Sequence, residues 1–302
     1  MTDNRCLERT LEQATTSRAM KGLCVSMGIR RDVLRMMTRA KTSHVGSCLS
    51  CADLVGHLYS HVMNYDPLDP RWPDRDRFVL SKGHAAAAVY AALALSGFFP
   101  VADLEQYSTD GSFLTGHVNH RVRGVEASTG SLGHGLPIGL GFALALARDP
   151  SQNRKPHVYV LMSDGECNEG TTWECALLGG HWGVDNLVAI VDYNKIQSLD
   201  RVDKVARLEP LAEKWRNFGW SVVEVNGHDH AALERVLTAT KETSTGRPTM
   251  IIAHTIKGRG VSFMEDTIEW HYRAPSLELL SVALGEVDDL ERDLQIELGA
   301  CA

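Results

Sequence analysis

The chain has 302 residues, 44% of them hydrophobic, enough to bury a large core in one domain or two. Thirty-one basic residues against 38 acidic ones leave a net charge of −7 with no basic block, which argues against nucleic acid or an anionic membrane as a main partner. The polar start "MTDNRCLERTLEQ" lacks the apolar core of a signal peptide, and seven scattered cysteines suit reduced thiols, so a cytoplasmic protein is expected.

In chain order, residues 11–40 carry Val25, Ile29, Val33, Leu34 and Met37 at helical spacing. A break at "KTSHVGS" follows, and 51–63 resumes the helical pattern. Cys48 and Cys51 have C-x-x-C spacing, but no second pair accompanies them, and they read as ordinary helix cysteines. "AAAAVYAALAL" is about half the length of a membrane span and reads as a packed helix. A glycine-opened helix is expected over 135–148. Four Val/Ile-rich runs then appear, "HVYVLM", "NLVAIVDY", "WSVVEV" and "TMIIAHTI", alternating with helical patterns such as "TTWECALLGGHW" and "HAALERVLTATKE". This alternation predicts an α/β fold, a parallel sheet flanked by helices, as one domain over residues 10–275, with 276–302 as an acidic C-terminal tail segment.

Asp164 stands where the run "VYVLM" opens into "SDGECNEG", and ligands of such sheets bind beyond the carboxyl ends of the strands. Asp, Gly and Asn also suit a plain strand-to-helix turn, so the position alone decides nothing. Asn194 ends the next run, 30 positions later, which would bring its amide beside the carboxylate. Carboxylate, amide and backbone oxygens form a hard donor set suited to Mg²⁺ and phosphate, a geometry that Rossmann-type nucleotide sites also use. Gly165 would let the backbone approach a phosphate, and a helix starting near Glu169 would aim its positive end there. His44, His84, His117 and His271 each stand beside glycine or at a break between elements, where imidazole can donate or accept hydrogen bonds and move protons near neutral pH. Singly, each reads as well as a surface or helix-cap residue.

"SDGECNEGTTWECALLGGHWGVDNLVAIVDYNKIQ" resembles the thiamine-diphosphate motif, and with "TSHVGS", "DRFVLSKGHA", "TGH", "STGSLGHGLPIGLG" and "WHYRAP" the chain resembles the N-terminal half of transketolase from about residue 20 to 275. The resemblance implies the diphosphate-binding (PP) fold of the family. It implies that Asp164, Asn194 and the carbonyl of Ile196 hold Mg²⁺. It places Glu169 in a carboxylate network at the subunit contact, Gly130 and Leu132 along the cofactor rings, and His84 and His271 on the diphosphate side. His44, His117 and His271 would face substrate hydroxyls, His44 and His271 handling protons. His134 matches a position where the family also uses Gln, and His228 in "NGHDH" reads as a turn-former. Two departures stand out: Ser163 replaces the first motif glycine, and "SLDR" with Asp200 replaces a glycine turn after "NKIQ".

Full transketolases continue into a pyrimidine-binding domain that supplies the cofactor-activating glutamate, whereas 27 residues follow position 275 here. The resemblance therefore implies one subunit of a split enzyme, a transferase moving a two-carbon ketol unit from a ketose (phosphate) to an aldose. A second chain would carry the pyrimidine-binding and C-terminal domains, in an α2β2 heterotetramer. The alternatives are the α subunit of a 2-oxo acid dehydrogenase, against which the histidines of "SKGHA" and "WHYRAP" speak, and a non-catalytic scaffold subunit.

Overall fold

The computed structural model describes residues 2–149, 155–242 and 244–300. Its sheet has five parallel strands: β1 (Arg77–Leu80), β2 (Val158–Ser163), β3 (Leu187–Tyr193), β4 (Ser221–Asn226) and β5 (Thr249–His254), in the order β1-β2-β3-β5-β4. β1 is a strand that periodicity alone missed, because four residues, "RFVL", are too few to show a pattern. β2 and β3 are buried along their whole length, as expected for strands covered on both faces, whereas edge strand β4 is half exposed.

The pleat sorts the strand residues onto two faces. Phe78, Leu80, Tyr159, Leu161, Ile190 and Ile251 join one core with α1 (Thr2–Ala40), α2 (Val45–Ser50), α3 (Ala52–His57) and α4 (Ala86–Leu95). Val160, Met162, Ala189, Val191 and Ile252 join the other with α5 (Gly135–Arg148), α6 (Gly170–His181) and α8 (Leu211–Asn217), the short α7 (Val202–Val205) preceding α8. α9 (His230–Glu242) packs on α1 and β4. α4 is the alanine-rich stretch, buried at nine of its ten positions because small side chains let it lie close to α1. Among the described residues no helix is long and apolar enough to cross a membrane.

The stretch expected as an acidic tail forms α10 (Leu277–Ala300). Leu280, Ala283, Val287, Leu290 and Leu294 recur at helical spacing and pack against the α1 side of the core. Arg31 of α1 pairs with Asp288 and Glu291 of α10, and Glu286 accepts both the backbone N–H (2.5 Å) and the hydroxyl (2.8 Å) of Ser262. Cys48 and Cys51 are buried free thiols, and burial pushes both up to about 12, which leaves them unreactive.

α6 passes so close to the turn after α8 that a Cβ at Gly180 would lie 1.7 Å from the carbonyl oxygen of Phe218. The obstacle is backbone, which cannot swing aside. Gly180→Ala is therefore expected to cost at least ~2 kcal/mol, read as a shifted midpoint in chemical denaturation.

Candidate active site

Parallel pairing without slippage sets Ser163 opposite Asp192 across β2 and β3, so both strands release their next residues at the same edge. Asp164 opens a short 3₁₀ turn, Asp164–Asn168, that runs into α6. The turn is held from beneath by Glu166, a buried carboxylate that accepts the N–H groups of Ser163 (2.9 Å) and Gly133 (3.0 Å) and the Ser81 hydroxyl. Burial raises the Glu166 carboxyl, and these three donors oppose the rise. Ser163, the departure from the motif, directs its hydroxyl toward Glu166 (3.5 Å). A Cβ at Gly165 would meet Gln197 at an ordinary 3.6 Å, so this chain's own packing does not demand the glycine.

Beyond β3 the chain turns sharply. Lys195 takes a left-handed conformation (φ 66°) and donates its N–H to Asp164 Oδ2 at 2.7 Å. Asn194 gives its Nδ2 to Asp192 Oδ2 (3.3 Å), which fixes the amide so that Oδ1 accepts from Ile196 N–H (3.1 Å). The loop closes through Gln197 N–H to the Asp200 carbonyl (2.9 Å) and a bridge between Ile196 and Arg201. Asp200 needs no left-handed geometry, because Lys195 supplies it.

One cavity of about 340 Å³ occupies this edge. Asp164, Gly165, Glu169, Asn194 and Ile196 line it from β2 and β3, and Gly130 and Leu132 from the loop before α5. His44, His84, His117 and His271 line the remaining wall, although 227 positions separate the first from the last. His44 is also left-handed (φ 79°), and its N–H bonds the His271 carbonyl at 2.9 Å, joining the two loops. Ring centroids lie 4.9 Å apart for His44–His271, 5.2 Å for His44–His84 and 5.8 Å for His44–His117. The His117 carbonyl is held by Tyr90 OH (3.0 Å) and Thr115 Oγ1 (2.7 Å). His134 lies outside the cavity as the exposed N-cap of α5, and His228 lies at the turn after β4.

Three charged residues the motif reading passed over are central. Lys82, inside "SKGHA", is fully buried and pairs with Asp192, which also accepts from Ser50 Oγ (2.6 Å) and the Thr255 hydroxyl. Burial works against both charges, but each partner outweighs it, so Asp192 stays ionised and Lys82 stays protonated. Lys257, three residues beyond β5, puts its ammonium 3.0 Å from the Ile196 carbonyl and 2.9 Å from His271 Nδ1. An ammonium has no lone pair, so His271 Nδ1 accepts and the ring proton sits on Nε2. Burial, together with nearby Lys82, pulls Lys257 down to about 8. The signal for all three was a charge within or just after a strand of apolar residues.

Burial and the surrounding positive charge lower His44 to about 4, His271 to about 3 and His84 well below its usual value, so all three are neutral at pH 7. Burial and Asp192 raise Asp164 to about 6. Such a carboxylate gains from a cation. The Ile196 carbonyl beside it already takes one from Lys257, and with Asn194 Oδ1 the oxygens suit a hard divalent metal. The two ammonium groups suit the phosphates such a metal would carry.

Residues 23–278 match the family model described as transketolase, thiamine diphosphate binding domain. The chain is 38% identical over 268 residues to an apulose-4-phosphate transketolase subunit of Phocaeicola vulgatus, covering 89% of this chain and 94% of that protein. It is 39% identical over 261 residues to a 6-deoxy-6-sulfo-D-fructose transketolase subunit of a Clostridium species, covering 86% and 94%. The structure of transketolase from Leishmania mexicana superposes with a TM-score of 0.82 at 30% identity, over 92% of this chain but 45% of that one. These relatives do not favour a 2-oxo acid dehydrogenase.

A histidine whose folded pKa lies below its unfolded value, ~6.5, stabilises the fold above that value and loses the contribution as pH falls. For His44 and His271 the window runs from about 6.5 down to about 4 and about 3. Asp164 acts oppositely: its raised pKa favours the fold at low pH, and that contribution is lost as pH rises through about 6. Denaturant stability of the chain without ligand should fall from pH 6.5 to 4, and His44→Asn should flatten that slope. The chain belongs to the transketolase family and forms its thiamine-diphosphate-binding part.

Proposed function

We propose that the chain is the diphosphate-binding subunit of a two-chain transketolase, moving a two-carbon ketol unit from a ketose to an aldose. The observation that carries this reading is that one cavity is lined both by the oxygen donors Asp164, Asn194 and Ile196 and by four imidazoles. Asp164, Asn194 and the Ile196 carbonyl hold Mg²⁺, and His84 and Lys257 bind the diphosphate. Thiamine diphosphate, when bound, supplies the nucleophilic carbon and the electron sink that ketol transfer requires.

The chain's own residues then act on the sugar. His271 presents Nε2–H toward substrate oxygen while Lys257 occupies Nδ1, and neutral His44 accepts the hydroxyl proton released as the carbon–carbon bond breaks. His117 holds oxygens of the transferred fragment, and Gly130 and Leu132 border the cofactor rings. The Phocaeicola relative is named for apulose 4-phosphate and the Clostridium relative for a sulfonated fructose, which supports a ketose bearing an anionic group as donor.

The diphosphate-binding unit runs over residues 10–275, followed by the 276–302 segment, whose helix α10 packs back on it. A partner chain in the cytoplasm contributes the pyrimidine-binding and C-terminal domains, and the assembly is an α2β2 heterotetramer. Both of these relatives are named as one subunit of their transketolase, which supports a partner. On α6, which Glu169 caps, Leu177 and the following Leu178 and Trp182 stay 56%, 40% and 48% exposed, apolar area that suits contact with another chain.

Asp164→Ala should weaken Mg²⁺-dependent binding of thiamine diphosphate by at least ~10-fold, the loss that follows even from changes outside a ligand set. Calorimetry with and without Mg²⁺ checks it; unchanged affinity would refute the metal assignment. In the assembled enzyme, His44→Ala or His271→Ala should cut turnover ~10²–10⁴-fold with the fold intact. The isolated chain should show no ketol transfer, and a titration with the partner should restore activity stoichiometrically. Turnover by the chain alone would contradict the two-chain reading, and a fully assembled pair without turnover would favour a scaffold.

A further inference from the structure

A second buried polar cluster lies at the same edge of the sheet, beneath the turn that follows β4. Arg30 of α1 grips Asp53 of α3 with two 2.7 Å hydrogen bonds, and both side chains are fully or almost fully buried. Asp53 Oδ2 also bonds His228 Nδ1 at 2.8 Å. The other ring nitrogen, Nε2, accepts the backbone N–H of Ile256 at 2.8 Å. These two bonds settle the tautomer: Nε2 must be bare, so Nδ1 carries the proton and donates it to Asp53. From the same guanidinium, Arg30 Nε donates to the Arg259 carbonyl at 3.2 Å.

The tethered points, residues 256 and 259, bracket Lys257. Further bonds hold the segment between them: Gly258 N–H to the Gly46 carbonyl (3.0 Å) and Asp266 N–H to the Lys257 carbonyl (2.9 Å). Lys257 needs such anchoring, because its ammonium must cross from the end of β5 to the Ile196 carbonyl and His271. A long, flexible side chain loses that reach when its backbone shifts by an ångström. Stability alone is a poor reason for the cluster, since a buried ion pair commonly does no better than apolar packing of the same volume. The turn itself is made by the Asn226 side chain, whose Oδ1 accepts the His228 N–H (3.0 Å), and does not use the imidazole.

We propose that His228, held by the Arg30–Asp53 pair, is a positioning residue for Lys257: its bare nitrogen fixes the backbone from which the ammonium reaches the anion end of the cavity. The proposal rests on the cavity binding thiamine diphosphate. It is tested by titration calorimetry of thiamine diphosphate with Mg²⁺ on the chain assembled with its partner, as wild type, His228→Phe, Lys257→Met and the double variant. Each single change should weaken binding about 10-fold. Because one residue acts through the other, the double variant should stay within about 2-fold of Lys257→Met. His228→Asn retains a donor for Asp53 but does not reach Ile256, and it serves should the Phe variant not fold. His228→Gln places an amide oxygen near the Nε2 position, able to accept from Ile256, and should restore affinity to within about 3-fold of wild type. Losses that multiply to about 100-fold in the double variant, or wild-type affinity in His228→Phe, would overturn the proposal while leaving the cofactor reading intact. A wild-type chain that binds no thiamine diphosphate even when assembled with its partner would overturn both.

Discussion

Asp192, a carboxylate with no exposure to water at the carboxyl end of β3, is the charge around which this molecule's site is arranged. It collects Lys82 from beyond β1, Ser50 from α2 and Thr255 from beyond β5, so four neighbouring elements meet on one side chain. It also decides which way Asn194 faces. By taking the amide nitrogen it turns the amide oxygen to the far side, where a hard cation has use for it. Without Asp192, Lys82 would be a buried charge with no counter-ion, a loss of ~3–5 kcal/mol in comparable buried pairs.

The remaining electrostatics follow from that pair. Lys82 sits with its Nζ 3.0 Å from the Ser47 carbonyl, and its charge and that of Lys257 act on the histidines lining the same cavity. That field and the lack of water keep the neighbouring histidines neutral, so the same charges that favour an anion also leave imidazoles able to accept protons. Asp164, raised by burial and by Asp192, opposes them until a cation relieves it. Anion binding and metal binding are thus two sides of one charge balance.

The Asp164–Asn194 juxtaposition was legible in the sequence because it rests on local rules: two apolar runs, one helix between them, and parallel pairing that aligns their ends. The histidines were different. His44 and His271 meet through a backbone hydrogen bond between distant loops, and no spacing rule foretells that; family resemblance alone placed them together. Lys82, Asp192 and Lys257 were hidden by their surroundings, a lysine beside a more eloquent histidine and an aspartate inside an apolar strand. β1 was too short to show a period, and α10 was masked by its acidic outer face, although its apolar positions were regularly spaced. His228 read as a turn residue because its backbone does make the turn, while its ring serves the loop of Lys257.

The central claim is that this cavity is a preorganised site for a metal-borne diphosphate. It is tested most directly by thermal unfolding of the wild-type chain with thiamine diphosphate or with thiamine, each with and without Mg²⁺. A ligand that binds only the folded state raises the unfolding temperature. The expected result is a rise that requires the diphosphate and Mg²⁺ together, with free thiamine having no effect. Equal stabilisation by thiamine, or stabilisation by thiamine diphosphate that ignores Mg²⁺, would contradict it.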